Sequence, residues 1–215
     1  MWTRKELKDQ CKIVMRRSYG KMLIAAVLGS LVYGVVNLDV DMITSDMYIA
    51  AMLGASLLLL GVFAANPIAV GSARFFVLNR DGDTSISEVF SMFKLDYWNV
   101  VKIMLMKEIK IFLWTLCLIV PGIIKAYEYS MIPYILAEDP STPMDEAFAK
   151  SKKMTTNQKM DMFILDFSFI GWYLLGALVC GFGALFVGPY VMGTEAELYS
   201  VLKDANRDDL PDLPL

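Results

Sequence analysis

The chain has no histidine among its 215 residues. That removes the commonest general base and the commonest metal ligand together. Cysteine is scarce: Cys11, Cys117 and Cys180 form no Cys-x-x-Cys pair, and an odd count without a spacing signature reads as free thiols. Charge is sparse as well. Only 20% of residues are charged, the net charge is -3, and the basic side chains form no stripe that would suit a nucleic acid. There is no Walker or dinucleotide-binding loop, and Ser130 and Ser168 have no histidine to activate them. The sequence therefore predicts no enzyme, no cofactor, and no catalytic or metal-binding residue. A cleavable leader is not expected either: the charged N-terminal region is too long, and no small-residue cleavage site follows the first apolar run.

What the chain has in excess is apolar surface, at 56% of residues. A soluble domain is nearer ~45–50%, so the surplus must face something other than water. The run from Ile103 to Leu136 would make a helix of about 50 Å at ~1.5 Å per residue, against a hydrocarbon core of roughly 30 Å. Two spans meeting at Pro121-Gly122 fit where one does not. Met47 to Leu78 is again too long for one untilted span, with Asn66-Pro67 expected to kink it. Met162 to Tyr199 is divided near Gly181 and interrupted by Gly188-Pro189.

The fold expected is all-α: a polytopic helical membrane bundle of about six transmembrane helices with short amphipathic interfacial helices. One domain covers 1–203, with spans near 20–38, 47–78, 98–120, 122–137, 160–180 and 184–203, and a polar tail at 204–215. Residues 1–18 read as a basic amphipathic helix on an anionic leaflet, opened by the capping box Thr3-x-x-Glu6. Ser85-x-x-Glu88 is a second capping box, and Thr142-Pro143-x-Asp145 opens a third short helix with proline at its first helical position. The stretch Asn79 to Ser87 resembles the start of a calcium loop. Thr84 in place of the turn glycine and Phe90 in place of the bidentate glutamate argue against one.

Eighteen of the twenty lysines and arginines fall in the N-terminal helix, around 79–110 and 137–160, or in the tail. Six spans put all of these on one side, with the acidic 39–46 loop on the other. Four spans would translocate Lys150, Lys152, Lys153 and Lys159, so the positive-inside rule favours six, with both termini cytoplasmic. Pro67, Pro121 and Pro189 each open a descending segment followed by a charged residue, which suggests parallel internal repeats of descending span, surface helix and ascending span.

The chain resembles the bacterial membrane proteins grouped as domain of unknown function 975. The resemblance rests on Trp2-x-Arg4-x-Glu6-Leu7-Lys8, on Pro121-Gly122-Ile123-Ile124-Lys125-Ala126-Tyr127-x-Tyr129-Ser130-Met131 with Pro133-Tyr134-Ile135-Leu136, on Ser151-Lys152-x-Met154, and on Ser168-Phe169-Ile170-Gly171-Trp172. Thr156 stands where the family usually has glycine. The resemblance implies a bacterial integral membrane protein in the inner membrane and brings no activity or site with it.

Ionisable groups inside spans cost at least ~2.5–3.5 kcal/mol each at the bilayer centre unless paired or solvated. Arg74, Glu128, Asp166, Glu195 and Glu197 form the candidate intramembrane polar cluster, with Pro67, Pro121, Gly122 and Pro189 as the helix breaks. Arg74, Glu128 and a glutamate of the last span would lie at comparable depth, either as a mutually paired lock or as a polar path. Tyr127, Tyr129, Tyr134, Trp172 and Tyr190 are expected to pack or anchor at interfaces. Gly171, Gly176, Gly181 and Gly183 are expected to allow close helix approach. The function expected is a non-catalytic membrane component acting through the lipid bilayer or an unidentified membrane protein partner. The alternatives are a small permease and, behind it, an intramembrane enzyme.

Overall fold

A computed structural model describes residues 2–36, 44, 46–178 and 183–206. Among them every regular element is helical: α1 (Arg4–Val36), α2 (Met47–Leu60), a π turn at Gly61–Ala65, α3 (Asn66–Asp81), a 3-10 helix at Ile86–Phe93, α4 (Tyr97–Cys117), α5 (Ile119–Glu128), α6 (Ile132–Glu138), α7 (Met144–Thr155), α8 (Lys159–Leu178) and α9 (Gly183–Ala205). After α3 the same order occurs twice: a short helix (the 3-10 helix, then α7), a long one (α4, then α8), and helices that carry proline (α5 and α6, then α9).

α1 opens on the closed capping box: the Thr3 amide donates to Glu6 at 3.0 Å and the Glu6 amide to the Thr3 hydroxyl at 3.3 Å. It bends at Ser18, whose dihedrals leave the helical region (φ -140°, ψ 31°). The apolar face before that bend lies on protein where a lipid surface was expected. Leu7 and Cys11 are buried, the Cys11 thiol reaches the Tyr190 carbonyl at 3.5 Å, and Trp2 Nε1 donates to Gln158 at 2.9 Å. Burial, the largest influence, pushes the Cys11 thiol up to about 11, so this sulfur stays protonated at neutral pH. Arg4, Lys5, Lys12 and Arg16 remain on the exposed side.

Met47–Asp81 is the one helix among the described residues long and apolar enough to cross a membrane. No residue of α2 is buried. A helix apolar all round belongs in a protein interior or a membrane, and none of the residues of α2 lies in the interior. Pro67 does not break this helix. The π turn just before it realigns the chain, with the Asn66 amide donating to the Gly61 carbonyl. The carbonyl four residues before the proline, that of Phe63, accepts the Tyr97 hydroxyl at 2.7 Å, so the bond the ring removes is replaced.

The other expected breaks also move. The chain turns at Leu118, which is extended (φ -160°, ψ 141°), three residues before Pro121-Gly122. Pro121 and Gly122 sit inside the first turn of α5, where proline costs no hydrogen bond. The span expected at 122–137 is two helices, interrupted at Tyr129–Met131. Pro189 lies within α9, which continues through it. The break near Gly181, most of the acidic 39–46 loop and the tail beyond residue 206 lie outside the described residues.

Of the glycines expected to allow close approach, Gly171 does not do so and Gly181 lies outside the described residues. Gly171 faces open space, whereas a Cβ at Gly71 would stand 2.6 Å from the Val89 carbonyl carbon and closer still to its oxygen. The 3-10 helix lies flat against α3 at that point. Gly193 likewise receives the Cys11 and Met22 side chains of α1, and Gly122 receives Thr115 of α4. Glu88 does not close its capping box, because its carboxylate is taken by Arg74 at 2.9 Å; only Ser85 caps locally, through the Ser87 amide. α7 starts at Met144, one residue later than expected, with Pro143 as its extended cap. The turn into α8 forms without glycine: Thr156 has φ -62°, and Asn157 takes the left-handed conformation at φ 61° that asparagine tolerates.

The buried core joins α1, α3, the 3-10 helix, α4, α6, α7, α8 and α9 around Phe75, Met92, Ile103, Ile132, Leu136, Met154, Leu165 and Tyr199. The large exposed apolar side chains concentrate elsewhere: along α2, at the far end of α4 (Phe112, Leu113, Trp114, Leu116), in the first turns of α5 (Ile119, Val120, Ile123, Ile124), and along α8 (Phe163, Phe167, Ile170, Leu174, Leu175).

Candidate functional site

The polar groups expected to form one cluster are distributed over separate sites. Arg74 of α3 donates to Glu88 at 2.9 Å and to the Ala137 carbonyl at 2.6 Å, tying the 3-10 helix and the end of α6 to α3. Glu197 pairs with Arg80 at 3.0 Å. Glu128, the last residue of α5, is buried between Lys125 at 2.7 Å and Lys159 at 2.8 Å. Its backbone carbonyl accepts the Ser151 hydroxyl of α7 at 2.7 Å. Arg74, Glu128 and Glu197 therefore do not lock onto one another.

Asp166 and Glu195 do come together, on the wall of a cavity of about 80 Å³. The cavity exists because the helix breaks at Tyr129–Met131: the interruption between α5 and α6 leaves a gap that α8 and α9 flank. Each carboxylate accepts a phenol, Asp166 from Tyr127 at 2.8 Å and Glu195 from Tyr134 at 2.8 Å. Tyr134 is buried and stacks on Tyr199 with ring centroids 5.5 Å apart. Tyr199 in turn donates to Glu138 at 2.8 Å, so α6 and α9 exchange Tyr–Glu hydrogen bonds in both directions. Lys203 also reaches Glu138, at 2.7 Å. Ser130 sits at the cavity with its hydroxyl given to the Tyr127 carbonyl at 2.8 Å.

Sequence reasoning placed Tyr127 and Tyr134 as packing residues and missed their phenols. Their seven-residue spacing was the available signal, since it puts both on one side of a continuous helix. Lys159, Arg80 and Glu138 gave no such signal, because their partners lie far along the chain. Among the described residues no group of three Asp, Glu, Cys or His side chains gathers as a metal site would need. The calcium-like stretch is used otherwise: Asn79 donates to the Ser18 hydroxyl at 2.7 Å, and Asp83 pairs with Lys21 at 2.7 Å.

One polar turn outside the apolar segments shows how the charged connections are held. Asp139 loses solvation by burial, yet hydrogen bonds from Ser141 and Thr142 together outweigh that loss and hold its carboxyl below the usual value of 3.8. The turn between α6 and α7 is thus fixed in its ionised form.

Residues 116–206 match the family model described as "Protein of unknown function (DUF975)", which supports the resemblance drawn from the sequence. No curated protein and no solved structure was found to match the chain.

Proposed function

For a chain whose residues 116–206 carry the DUF975 family signature, we propose the role of a non-catalytic multi-pass component of a bacterial inner membrane. It crosses six times with both termini cytoplasmic, and it acts through the bilayer or a membrane protein partner. The observation that carries this reading is the separation of two kinds of surface. Exposed apolar side chains run along α2, the far end of α4, the start of α5 and α8, next to the helix connections that carry few cations. The ion pairs Lys21–Asp83, Arg80–Glu197 and Lys203–Glu138 gather at the opposite ends of the helices. Lipid is the solvent that suits the first surface and water the second.

Local pairing supports a static role over a transporting one. Arg74, Glu128 and Glu197 each have a nearby opposite charge, so they do not form a chain of exchangeable sites across the bundle. Ser130 and Ser168 each donate to a backbone carbonyl, and Ser168 also accepts from the Lys8 ammonium at 2.6 Å; in this arrangement neither hydroxyl gives its proton to a base. The permease reading is favoured by one feature, the cavity where Asp166 and Glu195 meet. Reconstituting the purified chain in vesicles and recording proton and cation leak separates the two. Leak no greater than in protein-free vesicles is expected. Reproducible flux that disappears in Glu195→Gln would replace the accessory reading with the permease.

A further inference from the structure

Three helices bring three ammonium groups to one place. Lys110 comes from α4, Lys125 from α5 and Lys159 from the first position of α8, while the turn after α5 and α7 supply the aromatic rings Tyr129 and Phe148. Lys125 and Lys159 share the single carboxylate of Glu128, at 2.7 and 2.8 Å. Lys110 sits over Phe148, 3.7 Å from the ring centroid. Lys110 and Lys125 also stand 6.0 and 5.6 Å from the centroid of the same Tyr129 ring, and Lys125 is 5.5 Å from that of Trp114. The rings hold the cations in place without neutralising them. One carboxylate against three ammonium groups leaves a surplus of positive charge beside an apolar surface, where such a charge is costly unless an anion meets it.

The geometry points to a binding site for the phosphate headgroup of an anionic phospholipid. This inference rests on the membrane reading above and gives it a specific ligand. Lys125 and Lys159 keep 22% and 30% of their side-chain surface exposed, so their remaining N–H donors can be reached from the side of the bundle. Beside them stand exposed apolar side chains: Trp114 of α4, whose ring centroid is 5.5 Å from Lys125, Ile124 next to Lys125 in α5, and Phe163 one turn after Lys159 in α8. A phosphate on the lysines and acyl chains along these side chains match the two parts of a lipid. The phosphate chemistry alone would also suit a free inorganic ion. The apolar side chains beside it are what favour the lipid.

The experiment titrates the full chain in detergent with phosphatidylglycerol or phosphatidylcholine, reading bound lipid by native mass spectrometry. Vesicle flotation is run in parallel on every variant. Phosphatidylglycerol is expected to bind the more tightly, by about fivefold for each ammonium that meets it. Lys110→Gln leaves both ion pairs of Glu128 in place and removes only the contacts of this cation with the Phe148 and Tyr129 rings. It is expected to lower phosphatidylglycerol binding about fivefold and leave phosphatidylcholine unchanged, with Lys110→Arg restoring the preference. Equal binding of the two lipids, or a Lys110→Gln chain that binds phosphatidylglycerol like the wild type, overturns the site. Displacement of the lipid by excess inorganic phosphate would overturn the lipid assignment in favour of a small-anion site. A wild-type chain that floats with neither vesicle type would instead overturn the membrane reading itself.

Discussion

Gly71→Ala is expected to abolish the native packing of α3 against the 3-10 helix, at a cost of about 3 kcal/mol or more. The added methyl would meet the Val89 carbonyl group, which is backbone and cannot swing aside as a flexible side chain would. The displacement would then pass to Arg74, three residues on, whose bonds to Glu88 and to the Ala137 carbonyl hold the same junction. Gly54→Ala in α2 is the matched control, since nothing lies within 4 Å of its added carbon. That change should leave stability unaltered or raise it by up to about 1 kcal/mol through helix propensity. Thermal unfolding in detergent, followed by tryptophan fluorescence, reads both. Equal midpoints for Gly71→Ala and wild type would show that the 3-10 helix does not sit where it is described.

Glu128→Gln is the second large effect, a loss of about 2–3 kcal/mol. The substitution keeps the shape and removes the one negative charge between Lys125 and Lys159. Two partly exposed ammonium groups are then left facing each other. Their partial exposure is why the loss is set below the ~3–5 kcal/mol of a fully buried pair. If repulsion is the cause, Lys159→Met in the Glu128→Gln background should recover part of the stability, and the double-mutant cycle should show clear coupling. Additive losses would mean that Glu128 holds the structure through its shape and not its charge.

Local chemistry was legible in the sequence. Thr3 and Glu6 close the predicted box, and the N-terminal helix gives way to the next segment at Ser18, where charge gives way to apolar residues. Wherever a residue has a distant competitor, the local signal failed. Glu88 has a capping position three residues behind it, but Arg74 offers a charge-assisted bond from another helix. The prolines misled for a related reason. Pro121 marks a turn only approximately, because a proline suits the first turn of the helix that follows the break. At Pro67, a hydroxyl from Tyr97 and a π turn let the helix continue.

The candidate site was half legible. Charge in an apolar run singled out Asp166 and Glu195, and they share a cavity. Arg74, Glu128 and Glu197 carried the same signal and went to separate partners, because depth along a helix does not tell which way a side chain faces. Glycine shows the limit most plainly. Gly71 and Gly171 both lie in apolar runs, yet one touches backbone and the other touches nothing. Only the packing of a second helix decides between them.

The central claim, that lipid is the solvent of this chain with six crossings, is tested most directly by substituted-cysteine labelling in intact cells. With the three native cysteines replaced by serine, Thr44→Cys and Lys152→Cys are each exposed to a membrane-impermeant maleimide. The account predicts that position 44 labels from outside and that position 152, on the exposed side of α7, labels only after the cells are opened. Labelling of position 152 in intact cells would contradict it.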